Sequence, residues 1–404
     1  MVALSLTMDA IDHNDNDDDA DRLLFCALYD SELLSKILGV KGIDPAVKRL
    51  ELSLINNLGW KAWNRLGYIL GQNTTVTEFR VLDDSSLEVA GLCDGLQLNR
   101  YIKKLHFYGV NLHGNNLRSL VPFIEHNPNL KEITLYQCSI MSDGIEILSH
   151  ALLNRSEDTL KLLNIGFNSE WFRDDALDIL VQALTKCRKL KTLSLSGNEI
   201  GQRGCTSLTA LLESPGSILE FLHLNKTSLV RECILVLTKS LANKNTKLKW
   251  LDLGKNSSIS TGWVDVLKLV CNSSSIKEVI ESNHTLSYLG MNTDELMKAV
   301  TPTLGVDDAN LLHSSLVINS MSKNMAIRRK IIWSHARSDL NIGDSSIEIP
   351  LGAFPRILAW FANDSTEWDA DLILYHEHPL SKTMIDIVRL DSVFRILQSQ
   401  PHVV

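Results

Sequence analysis

Several features that would point to secretion, membrane insertion, nucleic acid or catalysis are missing from this chain of 404 residues. Its seven cysteines are an odd number with no Cys-x-x-Cys pair, which argues against a disulfide framework and favours reduced thiols in an intracellular compartment. No window approaches the run of about 18 apolar residues needed to cross a bilayer. Residues 2–8 are apolar but have neither a basic leader nor a convincing cleavage site, so a secretory signal is not expected. Excess basic charge is lacking too: 40 Lys and Arg face 48 Asp and Glu, for a net charge of −8. Residues 9–21 hold seven aspartates and no Lys or Arg, so the remainder carries only about −1. A body that near neutrality lacks the strongly basic surface of a typical nucleic-acid binder.

Catalytic and metal signatures are equally scarce. There is no Gly-x-x-x-x-Gly-Lys-Ser/Thr loop to cradle a nucleotide phosphate. The run Asp12-x-Asn14-x-Asn16 fails as a calcium loop, because Asp17 stands where the sharp turn needs glycine and Leu23 where a bidentate glutamate belongs. His376-Glu377-His378 is a dense ligand-like cluster, but it lacks further ligands at zinc spacing and reads as a polar loop before Pro379. Arg328-Arg329-Lys330 reads as a solvated helix face. The sequons at Asn225 and Asn256 read as chance matches, since Asn256 occupies a turn position where a glycan would conflict with burial. No cofactor or metal is expected, and the chain is not expected to be an enzyme.

What the chain does have is a period. The clearest copies are Leu130-x-x-Ile133-x-Leu135-x-x-Cys138-x-Ile140, Leu160-x-x-Leu163-x-Ile165-x-x-Asn168 and Leu190-x-x-Leu193-x-Leu195-x-x-Asn198-x-Ile200. Two more are Leu219-x-x-Leu222-x-Leu224-x-x-Thr227-x-Leu229 and Leu248-x-x-Leu251-x-Leu253-x-x-Asn256. Nine copies can be aligned on their fourth positions, Leu50, Phe79, Leu105, Ile133, Leu163, Leu193, Leu222, Leu251 and Val279, with intervals of 26 to 30 residues. After the short strand each unit shows apolar residues at helical spacing, as at Leu117, Leu120, Val121 and Ile124.

A strand plus a full helix in a unit of this length resembles the ribonuclease-inhibitor-like subtype of leucine-rich repeat, over residues 47–292. That resemblance implies an α/β solenoid, a horseshoe with parallel strands inside and helices outside. The remaining segments are expected to be an acidic disordered tail over residues 1–21, a helical N-terminal cap over 22–46 and a mainly helical C-terminal extension over 293–404.

Side chains alternate faces along a strand, so the residues between the buried aliphatics face the hollow. Most are polar. The exceptions cluster: Tyr108 beside Tyr136, and Phe221 beside Trp250, with His106, His223 and Asp252 next to them. Exposed aromatics of this kind are the usual anchors of protein interfaces, and these seven residues form the candidate partner-binding site. A second row, one residue after the first aliphatic of each repeat, is rich in lysine at Lys48, Lys103, Lys131, Lys161, Lys191, Lys249 and Lys277. It suits either plain solubility or an acidic partner, including the chain's own aspartate-rich stretch. Asn168, Asn198 and Asn256 are expected to stack as a ladder of buried amides bonding backbone groups at the turns.

The preferred expectation is a non-enzymatic scaffold, cytoplasmic or nuclear, that binds a protein partner on its concave face without nucleic acid or membrane. The alternative is a regulator of a small GTPase, since Ran GTPase-activating proteins are similar in repeat subtype and use an arginine at one rim. Arg173, Arg203 and Arg231 are the arginines near strand-to-helix loops here.

Overall fold

The computed structural model describes residues 24–28 and 43–331, without 44, 46, 54–59, 83–88, 169–173, 244–246, 321, 322, 324, 325, 328 and 329. Among these residues nine parallel strands form one sheet in chain order. They are β1 (Leu24–Leu28), β2 (Val47–Ser53), β3 (Glu78–Leu82), β4 (Lys104–Tyr108), β5 (Glu132–Tyr136), β6 (Leu162–Asn164), β7 (Thr192–Ser194), β8 (Phe221–His223) and β9 (Trp250–Asp252). The strands from β2 onward are followed by α1 (Trp60–Gln72), α2 (Ala90–Leu96), α3 (Asn115–His126), α4 (Ser142–Leu153), α5 (Asp174–Leu184), α6 (Gln202–Glu213) and α7 (Arg231–Asn243). After β9 a 3-10 turn (Ser257–Gly262) leads into α8 (Trp263–Val270), α9 (Ile276–Glu281) and α10 (Thr293–Asn319).

Parallel pairing requires a crossover between strands, and here the crossover is one helix per repeat. Helices need about 10 Å of width where strands need about 4.8 Å, so stacking such units bends the sheet toward its strand side. The chain is a leucine-rich-repeat solenoid with ribonuclease-inhibitor-like units. Its fourth-position row, Leu50, Phe79, Leu105, Ile133, Leu163, Leu193, Leu222 and Leu251, pairs neighbour to neighbour in register. Every member is at most 2% exposed, so this row is the spine of a continuous core.

The turns after β4 to β9 follow one rule. Gly109, Gln137, Phe167, Gly197, Lys226 and Lys255 all have positive φ, which swings the chain off the sheet at a steric cost for the non-glycine members. After five of these six, all but Gly109 with its apolar Val110, the next residue satisfies backbone groups that the turn frees. Asn198 Oδ1 accepts from the Asn168 amide at 2.9 Å, and its Nδ2 donates to the carbonyls of Ile165 and Leu195 at 3.0 and 2.9 Å. Asn168 reaches Cys138 in the same way, and Asn256 reaches Thr227. Between them the Thr227 hydroxyl donates to Leu224 O at 2.6 Å in its own repeat and to Asn256 Oδ1 at 3.5 Å in the next.

Near the N-terminal end the helices meet backbone to backbone. Gly67 and Gly71 on α1 face Gly91 and Gly95 on α2, and a Cβ built on Gly95 would lie 2.0 Å from the carbonyl carbon of Gly67.

Three expectations need correcting. Within the segment read as a helical cap, Leu24–Leu28 is a strand that pairs with β2 and starts the sheet one unit earlier. Its five consecutive apolar or small residues have no helical spacing, and they satisfy an edge of β2 backbone that would otherwise stand unpaired. The ninth copy is misplaced as well, because Val279 lies inside α9, where Ser275 caps the helix by accepting from the Glu278 amide. That Ser-x-x-Glu signal makes a helix start, which outweighs strand spacing. The sheet continues instead at Tyr288, bridged in parallel to Trp250, so the next copy is Leu286-x-x-Leu289-x-Met291. Lys277 therefore lies on α9 and not in the lysine row.

From the C-terminal extension, the helix α10 is described. Asn292 and Glu295 close a reciprocal capping box at its start, and Gly305 (φ 77°) kinks it. Its Leu296, Val300, Leu312 and Leu316 are buried at the end of the stack, where a terminal repeat needs a cover. The third correction concerns Lys330, which is fully buried and not solvated. Its Nζ donates to the carbonyls of Val270 and Asn283 and contacts His284 Nδ1 at 3.2 Å. Residues 1–21, Arg328, Arg329 and the His376–Glu377–His378 cluster lie outside the described residues.

Candidate functional site on the concave face

Strand register builds the concave surface in columns. One runs Arg49, Glu78, Lys104, Glu132, Leu162, Thr192, Phe221, Trp250, and the next runs Glu51, Arg80, His106, Thr134, Asn164, Ser194, His223, Asp252. Leu82, Tyr108 and Tyr136 belong to a third. Charges near the N-terminal end neutralise one another. Glu78 Oε1 lies 3.3 Å from Arg49 Nε and 2.5 Å from Arg80 Nε, and Lys104 pairs with Glu132 at 2.8 Å.

The first aromatic group is Tyr108, Tyr136 and Phe167. Tyr108 and Tyr136 stand with ring centroids 6.1 Å apart, and Tyr136 lies 5.1 Å from Phe167. Phe167 occupies the positive-φ turn after β6, and Lys226 Nζ sits 5.2 Å over its ring. Gly197, itself at φ 72°, leaves the room for that ring, since a Cβ there would come within 2.4 Å of it. His106 stacks on Tyr108 at 6.4 Å but is only 6% exposed, with Nδ1 2.9 Å from the Thr134 hydroxyl. Burial, reinforced by Arg80, Lys104 and Arg49, pushes its pKa down to about 3, so the ring is neutral. Burial raises the phenol pKa of both tyrosines.

The second group is Phe221, Trp250 and Tyr288. Phe221 and Trp250 are 6.0 Å apart, and Tyr288 meets Trp250 edge-on at 4.1 Å. His223 lies 5.9 Å from Trp250, with Nδ1 3.6 Å from Asp252 Oδ2. Asp252 also accepts from Asn225 Nδ2 at 2.5 Å and from the Gly254 amide at 3.0 Å. His223 and Asp252 are 8% and 7% exposed, so like His106 they lie beneath the aromatics more than beside them.

All seven candidate residues are thus on the concave face, divided between two groups. Between the groups the floor is small and polar, with Asn164, Gly166, Ser194 and Ser196. Three strand spacings, about 14 Å, separate β5 from β8. Sequence reasoning missed two members. Phe167 sits at a turn, off the strand alternation, and Tyr288 was hidden by the misplaced ninth copy. The motif Leu286-x-x-Leu289-x-Met291 was the signal that would have found Tyr288.

Of the rim arginines, Arg203 is in the first turn of α6 and pairs with Asp178 at 2.7 Å, while Arg231 lies 3.9 Å from Asp265. Arg173 lies outside the described residues. Among the described residues no group of three or more His, Cys, Asp or Glu is placed to hold a metal ion. Cys93, Cys138, Cys187, Cys205, Cys233 and Cys271 are buried, and burial pushes the Cys187 thiol up to about 11. No helix among the described residues is long and apolar enough to cross a membrane.

Comparison with known proteins agrees with the repeat architecture. The chain is 28% identical over 205 residues to bovine (Bos taurus) NACHT, LRR and PYD domains-containing protein 9, covering 50% of this chain and 20% of that protein. It is 23% identical over 234 residues to the ribonuclease inhibitor of Mus musculus, covering 56% of this chain and 50% of the inhibitor. It is 32% identical over 145 residues to mouse NACHT, LRR and PYD domains-containing protein 12, covering 36% of this chain and 13% of that protein. The chain spans half or less of the length of these curated relatives. No family model matches it.

Proposed function

We propose that this protein is a non-enzymatic scaffold, working in the cytoplasm or nucleus, that grips a protein partner in its concavity. Tyr108, Tyr136 and Phe167 form one bank of anchors, and Phe221, Trp250 and Tyr288 the other. His106, His223 and Asp252 hold the rings in place from below. The observation that carries the reading is the grouping of partly exposed aromatic rings on a face whose other positions are mostly polar or charge-paired. Aromatic rings bring large contact area at low entropy cost, and central ones contribute about 2 kcal/mol or more to an interface. The ribonuclease inhibitor, by its name, acts on another protein, and its match over half of this chain supports a protein target here.

The test is affinity capture with the full chain beside the Tyr136→Ala/Trp250→Ala double variant, with circular dichroism and melting to confirm that both are folded. Loss of one anchor from each bank is expected to weaken the specific partner at least about tenfold, since 1.4 kcal/mol already corresponds to that factor. A folded double variant that retains every partner at wild-type levels overturns the reading.

A further inference from the structure

We infer that the lysine-lined edge at the N-terminal ends of the strands is a docking surface for an acidic segment, and that its occupant is the chain's own residues 9–21. Lys103, Lys131 and Lys161 immediately precede β4, β5 and β6, and Lys48 stands near the start of β2. Because the strands are parallel and consecutive, all four lie along one edge, on neighbouring strands about 4.8 Å apart except where Thr77 takes the place on β3.

The row falls into two halves of different chemistry. Farther along, Glu220 takes the lysine position and pairs with Lys191 at 3.3 Å and Lys249 at 2.8 Å. Burial pushes the Glu220 carboxyl up, but those two ammonium groups outweigh it and hold the pKa below the usual range. Lys48, Lys103, Lys131 and Lys161 have no carboxylate within ion-pair distance among the described residues, so like charges stand side by side uncompensated. Lys104, on the concave face next to them, is already paired with Glu132.

The acidic stretch suits that edge in charge, entry point and length. It holds seven aspartates and no Lys or Arg, and it ends three residues before β1. Strand β1 runs parallel to β2, so the chain enters the sheet at the edge where the lysines stand. From β1 to β6 the edge measures about 24 Å at ordinary strand spacing. Thirteen extended residues reach about 40 Å, enough to pass all four lysines. This edge is separate from the aromatic banks, so the inference does not depend on the partner-binding reading.

Amine acetylation with mass-spectrometric readout on the full chain tests it. The wild type is compared with a variant in which all seven aspartates are changed to asparagine, and Lys239 and Lys268 on the helical side serve as internal controls. At 0.1 M salt, Lys103, Lys131 and Lys161 are expected to react roughly threefold more slowly in the wild type than in the variant, the size expected of several exposed pairs acting together. The difference should vanish at 1 M salt, where screening shortens the Debye length from about 10 Å to about 3 Å. Equal rates in the two proteins, a change shared by the control lysines, or protection that survives 1 M salt each overturn the inference.

Discussion

Replacing Asn198 by leucine tests the repeat register at its most exacting point. The side chain is 0% exposed, accepts from the Asn168 amide and donates to the carbonyls of Ile165 and Leu195. Leucine fills a similar volume, so the loss is polar and not a cavity. Three buried backbone groups lose a partner, each loss costing about 1–3 kcal/mol. Leu195 O keeps a bond from the Asn198 amide at 3.3 Å, which lowers its share. Allowing for that and for local relaxation, the expected destabilisation is about 3–5 kcal/mol. Urea titration followed by tryptophan fluorescence measures it, with Thr206→Ala on the exposed side of α6 as the control. Coupling in a solenoid runs between neighbours, so the damage should centre on the repeats of β6 and β7 and can broaden the transition. A shift below about 1 kcal/mol, with the same slope as the wild type, refutes the assignment of this amide as the clamp between repeats.

Other perturbations read other parts of the structure. Gly95→Ala drives a methyl to within 2.0 Å of the Gly67 carbonyl carbon, so α1 and α2 must separate, and a loss of about 1–3 kcal/mol should appear as a lower melting temperature. Burial pushes the Lys330 pKa down from its ordinary 10.5 to about 7, so between those values the unfolded chain binds more protons than the folded one. Stability should therefore rise as pH increases from 7 to 10.5, and the urea midpoint of Lys330→Met should lose that slope. His284, lowered mainly by burial to about 4, works in the same sense at lower pH, so wild-type stability should fall as pH drops from 6.5 to 4. Ser194→Tyr fills the small floor between the two aromatic banks without touching the core. It should leave stability within about 0.5 kcal/mol while abolishing partner capture, and retained capture would count against a partner seated between the banks.

The fold was largely legible because its strongest signal is local and repeated. One aliphatic triplet, such as Leu130, Ile133 and Leu135, would mean little alone, yet Ile133, Leu163 and Leu193 recur with their Asn or Cys partners at matching offsets. The misses have physical causes. Val279 has strand-like spacing, but Ser275 and Glu278 form a capping pair that commits the segment to helix. Leu24–Leu28 is too short for its period to be read, and only pairing with β2 makes it a strand. Alternation could not show that His106, His223 and Asp252 are mostly covered, because coverage depends on which neighbouring ring leans over them. Lys330 defeated sequence reading entirely: its partners are main-chain carbonyls 60 and 47 residues away and carry no side-chain signature.

The same alternation explains why this chain and its relatives keep an architecture at 23–32% identity. Inward residues need only be apolar and of suitable size, a condition many substitutions meet. The turn residue mostly supplies an amide, thiol or hydroxyl, as Asn198, Cys138 and Thr227 each do with a different group, while Val110 holds the same place without one. Outward residues on the concave strands face neither condition, so they can change without loss of the fold. Stability and recognition are therefore written in alternate residues of the same short strands. A binding face on such a scaffold is identified by departures from the polar background, and here those departures are six rings in two banks.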